Sequence, residues 1–187
     1  MSVKNILRYG TKSLREPSKE VFKVSKKITD LVNDLLETMY AKNGVGLAAP
    51  QIGVNYRVFV LDVSSNDEPL SPMVFINPKI IKKSGAIISN EGCLSFPEAY
   101  TDVRRYKDIT VKALDVHGRP FVLEANGGTL LTRCIQHEFD HLNGVLFIDH
   151  CVNRFDTNAE LEKFDLPPVE EDKLIDEPQL EAELNDA

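Results

Sequence analysis

The chain has 187 residues, a net charge of −7, 42% hydrophobic and 27% charged residues, three cysteines and no tryptophan. A chain of this length buries a core without covalent staples. Three irregularly spaced cysteines do not suggest a disulfide framework, and with no long apolar run neither a secretory leader nor a membrane-spanning helix is expected. These features predict a cytoplasmic protein.

The acidity is unevenly placed. Residues 158–187 hold eleven acidic and two basic side chains, which leaves +2 for residues 1–157. The expected organisation is one domain over residues 1–164, followed by an acidic tail over 165–187. That tail is poor in large apolar residues and is expected to be mobile. Its charge says little about what the domain acts on.

In chain order, Ile28, Leu31, Val32, Leu35, Leu36 and Met39 recur at helical spacing, with Ser25 as N-cap and Asn43-Gly44 as the stop. Residues 44–53, GVGLAAPQIG, read as a loop of small residues that brings backbone close to a ligand, with Gln51 as its polar side chain. No Gly-Lys-Ser/Thr ending supports a phosphate loop. Residues 56–62 predict a strand. Residues 73–77 and 79–83 predict two short strands split by Pro78, and 86–89 another. Residues 109–115 and 121–125 form an expected hairpin, with His117 in its turn. A second helix starts at the N-cap Thr129 and stops at Asn143-Gly144. Leu131, Ile135, Phe139 and Leu142 share its core face; Leu130, Cys134, His137 and His141 share a neighbouring one. A last helix is expected within 152–164, before the breaker Asp165-Leu166-Pro167-Pro168.

The second helix carries His137-Glu138-Phe139-Asp140-His141. Histidines four apart lie one above the other and offer two imidazole nitrogens to one metal ion, while the intervening glutamate reaches a water as general base. A catalytic metal ordinarily needs a third protein ligand and an open position. A metzincin pattern fails, because Phe147 stands where its last histidine belongs. A thermolysin-like ligand would come from Glu160 or Glu162. Cys93, after Gly92 and before Leu94, is the other candidate; Cys134 is a weaker one, and Cys151 reads as inert.

Residues 44–53, residues 91–95 (EGCLS) and residues 136–142 (QHEFDHL) resemble, in order, the three signature segments of peptide deformylase, within a similarity running from about Ile6 to Val152. The resemblance implies an α+β fold, with short mixed and antiparallel sheets packed around the metal-bearing helix. It implies a hydrolase that removes the N-formyl group from the initiator methionine of new polypeptides and releases formate. Cys93, His137 and His141 then become the metal ligands. Glu138 is the acid/base acting on metal-activated hydroxide, and Gln51 with the Leu94 N–H holds the oxyanion. The implied cofactor is one divalent ion, Fe(II) in the cell, with Zn, Ni or Co able to substitute. Val45, Gly46, Leu130 and Cys134 are the expected substrate contacts, with Ile88 beside them. Two positions depart from the family: Arg133 stands where an apolar or small residue is usual, and Tyr100 where many relatives carry arginine. Arg105 is expected either to support the site through Asp140 or Glu91 or to lie solvated at the surface. Formylmethionyl peptides are the implied partners, with ribosome contact weakened by the acidic tail; no membrane and no sequence-specific nucleic acid are expected.

Overall fold

The computed structural model describes residues 2–65 and 68–175. Three helices pack around one five-stranded antiparallel sheet. Helix α1 spans Lys26–Ala41, α2 Leu130–His141 and α3 Arg154–Glu162; the strands are β1 Gly46–Ala48, β2 Val58–Leu61, β3 Met73–Cys93, β4 Phe96–Leu114 and β5 Pro120–Ala125. The strands lie in sequence order, β1-β2-β3-β4-β5. A parallel bridge between Lys19 and Tyr56 adds mixed pairing near β2. This is the α+β arrangement around the motif helix that the signature segments implied.

Two readings of the chain change. Residues 44–53 are not a plain loop: Gly46, Leu47 and Ala48 pair with Leu61, Val60 and Phe59, and Ala49–Ile52 then form a 3-10 turn. Strand residues that are all buried lack the alternation that signals a strand. The expected short strands at 73–77, 79–83 and 86–89 are one strand, β3, paired with β2 at its start and with β4 from Ile76 to Cys93. Pro78 falls at a register shift between Ile76 and Lys79, and a second shift lies between Ile80 and Lys82. Such bulges absorb a proline and bend a strand without ending it. The two-residue turn Leu94-Ser95 joins β3 to β4, with Cys93 opposite Phe96.

Three packed clusters position the site. Leu31, Val32, Leu35 and Met39 of α1 meet Leu47, Val58, Val60 and Ile76. Ile135 of α2 and its C-cap Leu142 sit among Ala48, Phe59, Phe75 and Val111, with the Phe59 and Phe75 rings stacked at 4.6 Å. Thr129 caps α2 by accepting from the Thr132 N–H at 3.4 Å. After the helix, Gly144 has a φ of +72°, and a Cβ there would lie 2.3 Å from the Arg15 carbonyl oxygen. Only glycine combines that conformation with that approach.

In the third cluster the chain goes on packing past residue 164. Leu166 and Val169 are buried with Tyr9, Leu14, Phe96 and Leu161. The Tyr9 hydroxyl donates to the Pro168 carbonyl at 3.0 Å, and the Val169 N–H donates to Asn158 at 2.8 Å. The Ile175 N–H reaches the Asp149 carbonyl at 2.9 Å. Residues 165–175 therefore belong to the packed body, because two apolar side chains suffice to hold a short segment against a core. The rest of the expected tail, 176–187, lies outside the described residues.

Candidate metal centre and active-site cleft

Strand β3 delivers Cys93 at its end, and α2 delivers His137 and His141 one turn apart. One ligand atom from each of these residues lies within 4.8 Å of the others. The Cys93 sulfur is 3.3 Å from His141 Nε2, and the two imidazole rings stand 5.1 Å apart at 70°. A thiol and two imidazoles converging from segments 44 residues apart make a donor set for a borderline-soft divalent ion. Glu160 and Glu162, the alternative ligands, lie on or at the end of α3 and are not in this cluster.

Glu138 is buried beside the cluster, and its Oε2 meets no hydrogen-bond partner among the described residues. A side chain at Gly46 would put its Cβ 2.5 Å from Glu138 Oε1, so the glycine is what lets the carboxylate lie against β1. Burial pushes the Glu138 carboxyl up to about 7, well above its ordinary range. A buried carboxyl oxygen with an open lone pair beside three ligand atoms is the arrangement that a metal and a water would complete. Burial pushes His141 well below its usual range, toward the neutral form that binds metals. Burial also opposes a charge on His137, but the neighbouring Cys93 and Glu91 outweigh it and raise that residue.

Gln51 is buried and held in one orientation. Its Oε1 accepts from the Ala48 N–H at 2.8 Å, while Nε2 points to the Cys93 sulfur at 3.4 Å and the Ser95 hydroxyl at 3.2 Å. That leaves the amide donor facing the cluster. Leu94 occupies the adjoining turn and lines the same cleft.

A layer of charge supports the ligands from behind. Glu91 Oε2 accepts from His137 Nδ1 at 3.1 Å, leaving the other ring nitrogen for the cluster. Arg105 grips Glu91 with two hydrogen bonds, at 3.1 and 2.9 Å, and also binds Asp140, which His150 meets at 3.0 Å. Burial penalises the Glu91 charge, yet Arg105 and His137 bring its carboxyl down to about 2. Of the two readings of Arg105, support of the site is the one found, since only 2% of its side chain is exposed. From sequence Glu91 is expected only as a partner of Arg105, its bond to His137 is not, and Ser95 is not expected at the site at all. Alternation along a strand was the available signal for Glu91, two residues before Cys93 and so on its face; nothing local marks Ser95.

The cleft has a volume of about 780 Å³ and includes Val45, Gly46, Tyr100, Leu130, Arg133 and Cys134 along with Gln51, Cys93, His137 and Glu138. Ile88 does not line it and is 52% exposed. It lies three residues before the buried Glu91, and that odd offset puts it on the opposite face of the strand. A larger groove, about 950 Å³, touches Arg105, Asp140 and His150 from behind and reaches none of the three ligand residues.

The sequence model described as polypeptide deformylase matches residues 3–156. The peptide deformylase of Pseudoalteromonas translucida is 47% identical over 150 residues, covering 80% of this chain and 87% of that protein. Among solved structures, the peptide deformylase of Synechococcus elongatus in complex with actinonin superposes with a TM-score of 0.84 at 42% identity, covering 89% of this chain and 92% of that one. The Legionella pneumophila enzyme gives 0.79 at 41%, covering 87% and 95%. With relatives this similar running through all three segments that build the cleft, the chain belongs to the peptide deformylases, metal-dependent hydrolases that remove the N-formyl group from newly made polypeptides.

Proposed function

We propose that Cys93, His137 and His141 hold one divalent ion, Fe(II) in the cell with Zn, Ni or Co able to replace it, and that deformylation runs on Glu138, Gln51 and Leu94. The observation that carries this reading is the convergence of three ligand atoms within 4.8 Å beside a buried carboxylate oxygen that has no partner among the described residues. When bound, the ion supplies Lewis acidity, making water nucleophilic near neutral pH and drawing electron density from the formyl oxygen. Glu138 accepts the proton of the attacking water through Oε2. As the new C–O bond forms, charge grows on the formyl oxygen, and the Gln51 Nε2 amide and the Leu94 N–H donate to it. Glu138 returns the proton to the amine nitrogen as the C–N bond breaks, so formate and a free α-amino terminus leave.

Val45, Gly46, Leu130 and Cys134 receive the methionine side chain, and Tyr100 and Arg133 flank it. A thiolate donates more charge than a carboxylate and tolerates several metals, so Fe(II) rests on family resemblance. A cytoplasmic location is supported by three free cysteines; among the described residues no helix is long and apolar enough to cross a membrane. Ribosome contact is weakened by the acidic end of the chain, where residues 176–187 carry five acidic and no basic side chains. Pelleting with ribosomes at two salt concentrations, for the full chain and for residues 1–175, tests this: stronger binding of the shorter form is expected.

The direct test is anaerobic purification followed by metal counting and formate release from a formylmethionyl peptide. Glu138→Ala is expected to keep its metal and lose about 10²–10⁴-fold in rate. Cys93→Ser is expected to lose metal. Equal rates for wild type and Glu138→Ala would sink the assignment.

A further inference from the structure

Arg133 stands in the first turn of α2, one turn before His137, and lines the cleft with Leu130 and Cys134. Its Nε is shut off from solvent and meets no hydrogen-bond acceptor among the described residues. That turn contains no acidic side chain, and the positive end of a helix dipole disfavours a cation there. An unmet buried donor and an unfavourably placed charge are both unusual, and an incoming carboxylate relieves both at once. The other formal charges lining the cleft are Lys42, Glu91, Glu98 and Glu138. Glu91 is already engaged by Arg105 and His137.

Resting on the deformylase reading, we propose that Arg133 receives a carboxylate of the formylated peptide: an aspartate or glutamate close behind the formylmethionine. The spacing selects that position. Four helical steps lead from Arg133 to His137, about 6 Å along the axis, whereas an extended peptide advances ~3.3 Å per residue. A peptide whose formyl group lies at the Cys93 and His137 end passes Arg133 one or two residues later. Guanidinium, planar and weakly hydrated, suits a carboxylate better than an ammonium does.

The test separates this subsite from the chemistry. Binding of formyl-Met-Glu-Ala, formyl-Met-Ala-Ala and formyl-Met-Lys-Ala peptides is measured on the metal-loaded Glu138→Gln protein, with and without Arg133→Met and Arg133→Lys. The glutamyl peptide is expected to bind about 10-fold more tightly than the lysyl peptide at low salt. The gap should close with Arg133→Met and survive in part with Arg133→Lys. Equal affinities for the three peptides, or a gap that persists with Arg133→Met, would overturn the proposal. Formate release from the alanyl peptide by wild-type protein reads the deformylase assignment independently: no release together with an intact glutamyl preference removes that assignment and leaves the subsite in place.

Discussion

Glu91 binds both a proposed metal ligand and a buried guanidinium, so its charge serves two neighbours. Its carboxylate orients His137 while Arg105, anchored on Asp140, offsets its desolvation. Removing one member of such a group leaves the others charged and unpaired, at a cost of about 3–5 kcal/mol. Glu91→Gln is therefore expected to lower stability by that order and to weaken metal binding about 10–100-fold. Urea unfolding and competition with a chelator would measure the two effects separately. A variant with wild-type metal affinity would mean that His137 is oriented by its helix alone.

At the scale of elements, the end of β2 is fastened to α1 through a carboxylate. Asp62 accepts from the Tyr40 hydroxyl at 2.7 Å, from the Ser64 N–H at 3.0 Å and from the Ser71 N–H at 3.0 Å. Burial would raise its pKa, but the Ser64 bonds foremost, with those from Tyr40 and Ser71, hold it below 3.8. The folded state then binds the proton more weakly than the unfolded one. The stabilisation is complete above about 3.8 and is lost as pH falls through the lower folded value. Asp62→Asn is expected to cost ~1 kcal/mol at pH 7, with the gap to wild type narrowing below pH 3.8. Denaturant titrations at pH 7, 5 and 3.5 would show it; a constant gap would assign the loss to geometry instead of charge.

For the whole molecule, the C-terminal segment closes the body over the N-terminal one. Leu166 and Val169 are both more than nine-tenths buried against Tyr9 and Leu14. At roughly 1.5–3 kcal/mol for each buried aliphatic side chain, cutting after residue 164 is expected to cost about 3 kcal/mol or more. Cutting after residue 175 removes neither contact. Comparing thermal midpoints of the two truncations with the full chain would decide where the folded unit ends, and equal midpoints for both would return the boundary to 164.

Taken alone, the sequence determined the helix of the His-Glu-x-x-His motif, its cap and stop, and the placing of His137 and His141 one turn apart, because these depend on neighbours three and four residues apart. It also carried α1, the hairpin at 109–125 and, through resemblance, Cys93 and Gln51. Only the tertiary structure decided that three expected short strands are one, since bulges that keep a strand running past Pro78 are set by the partner strand. It alone placed Arg105 inside and Ile88 outside, because burial of a charge depends on which distant carboxylates reach it. It likewise seated Glu138 against Gly46 and residues 165–175 against the N-terminal turn. Local periodicity encodes which face a residue presents; what that face meets is a property of the folded chain.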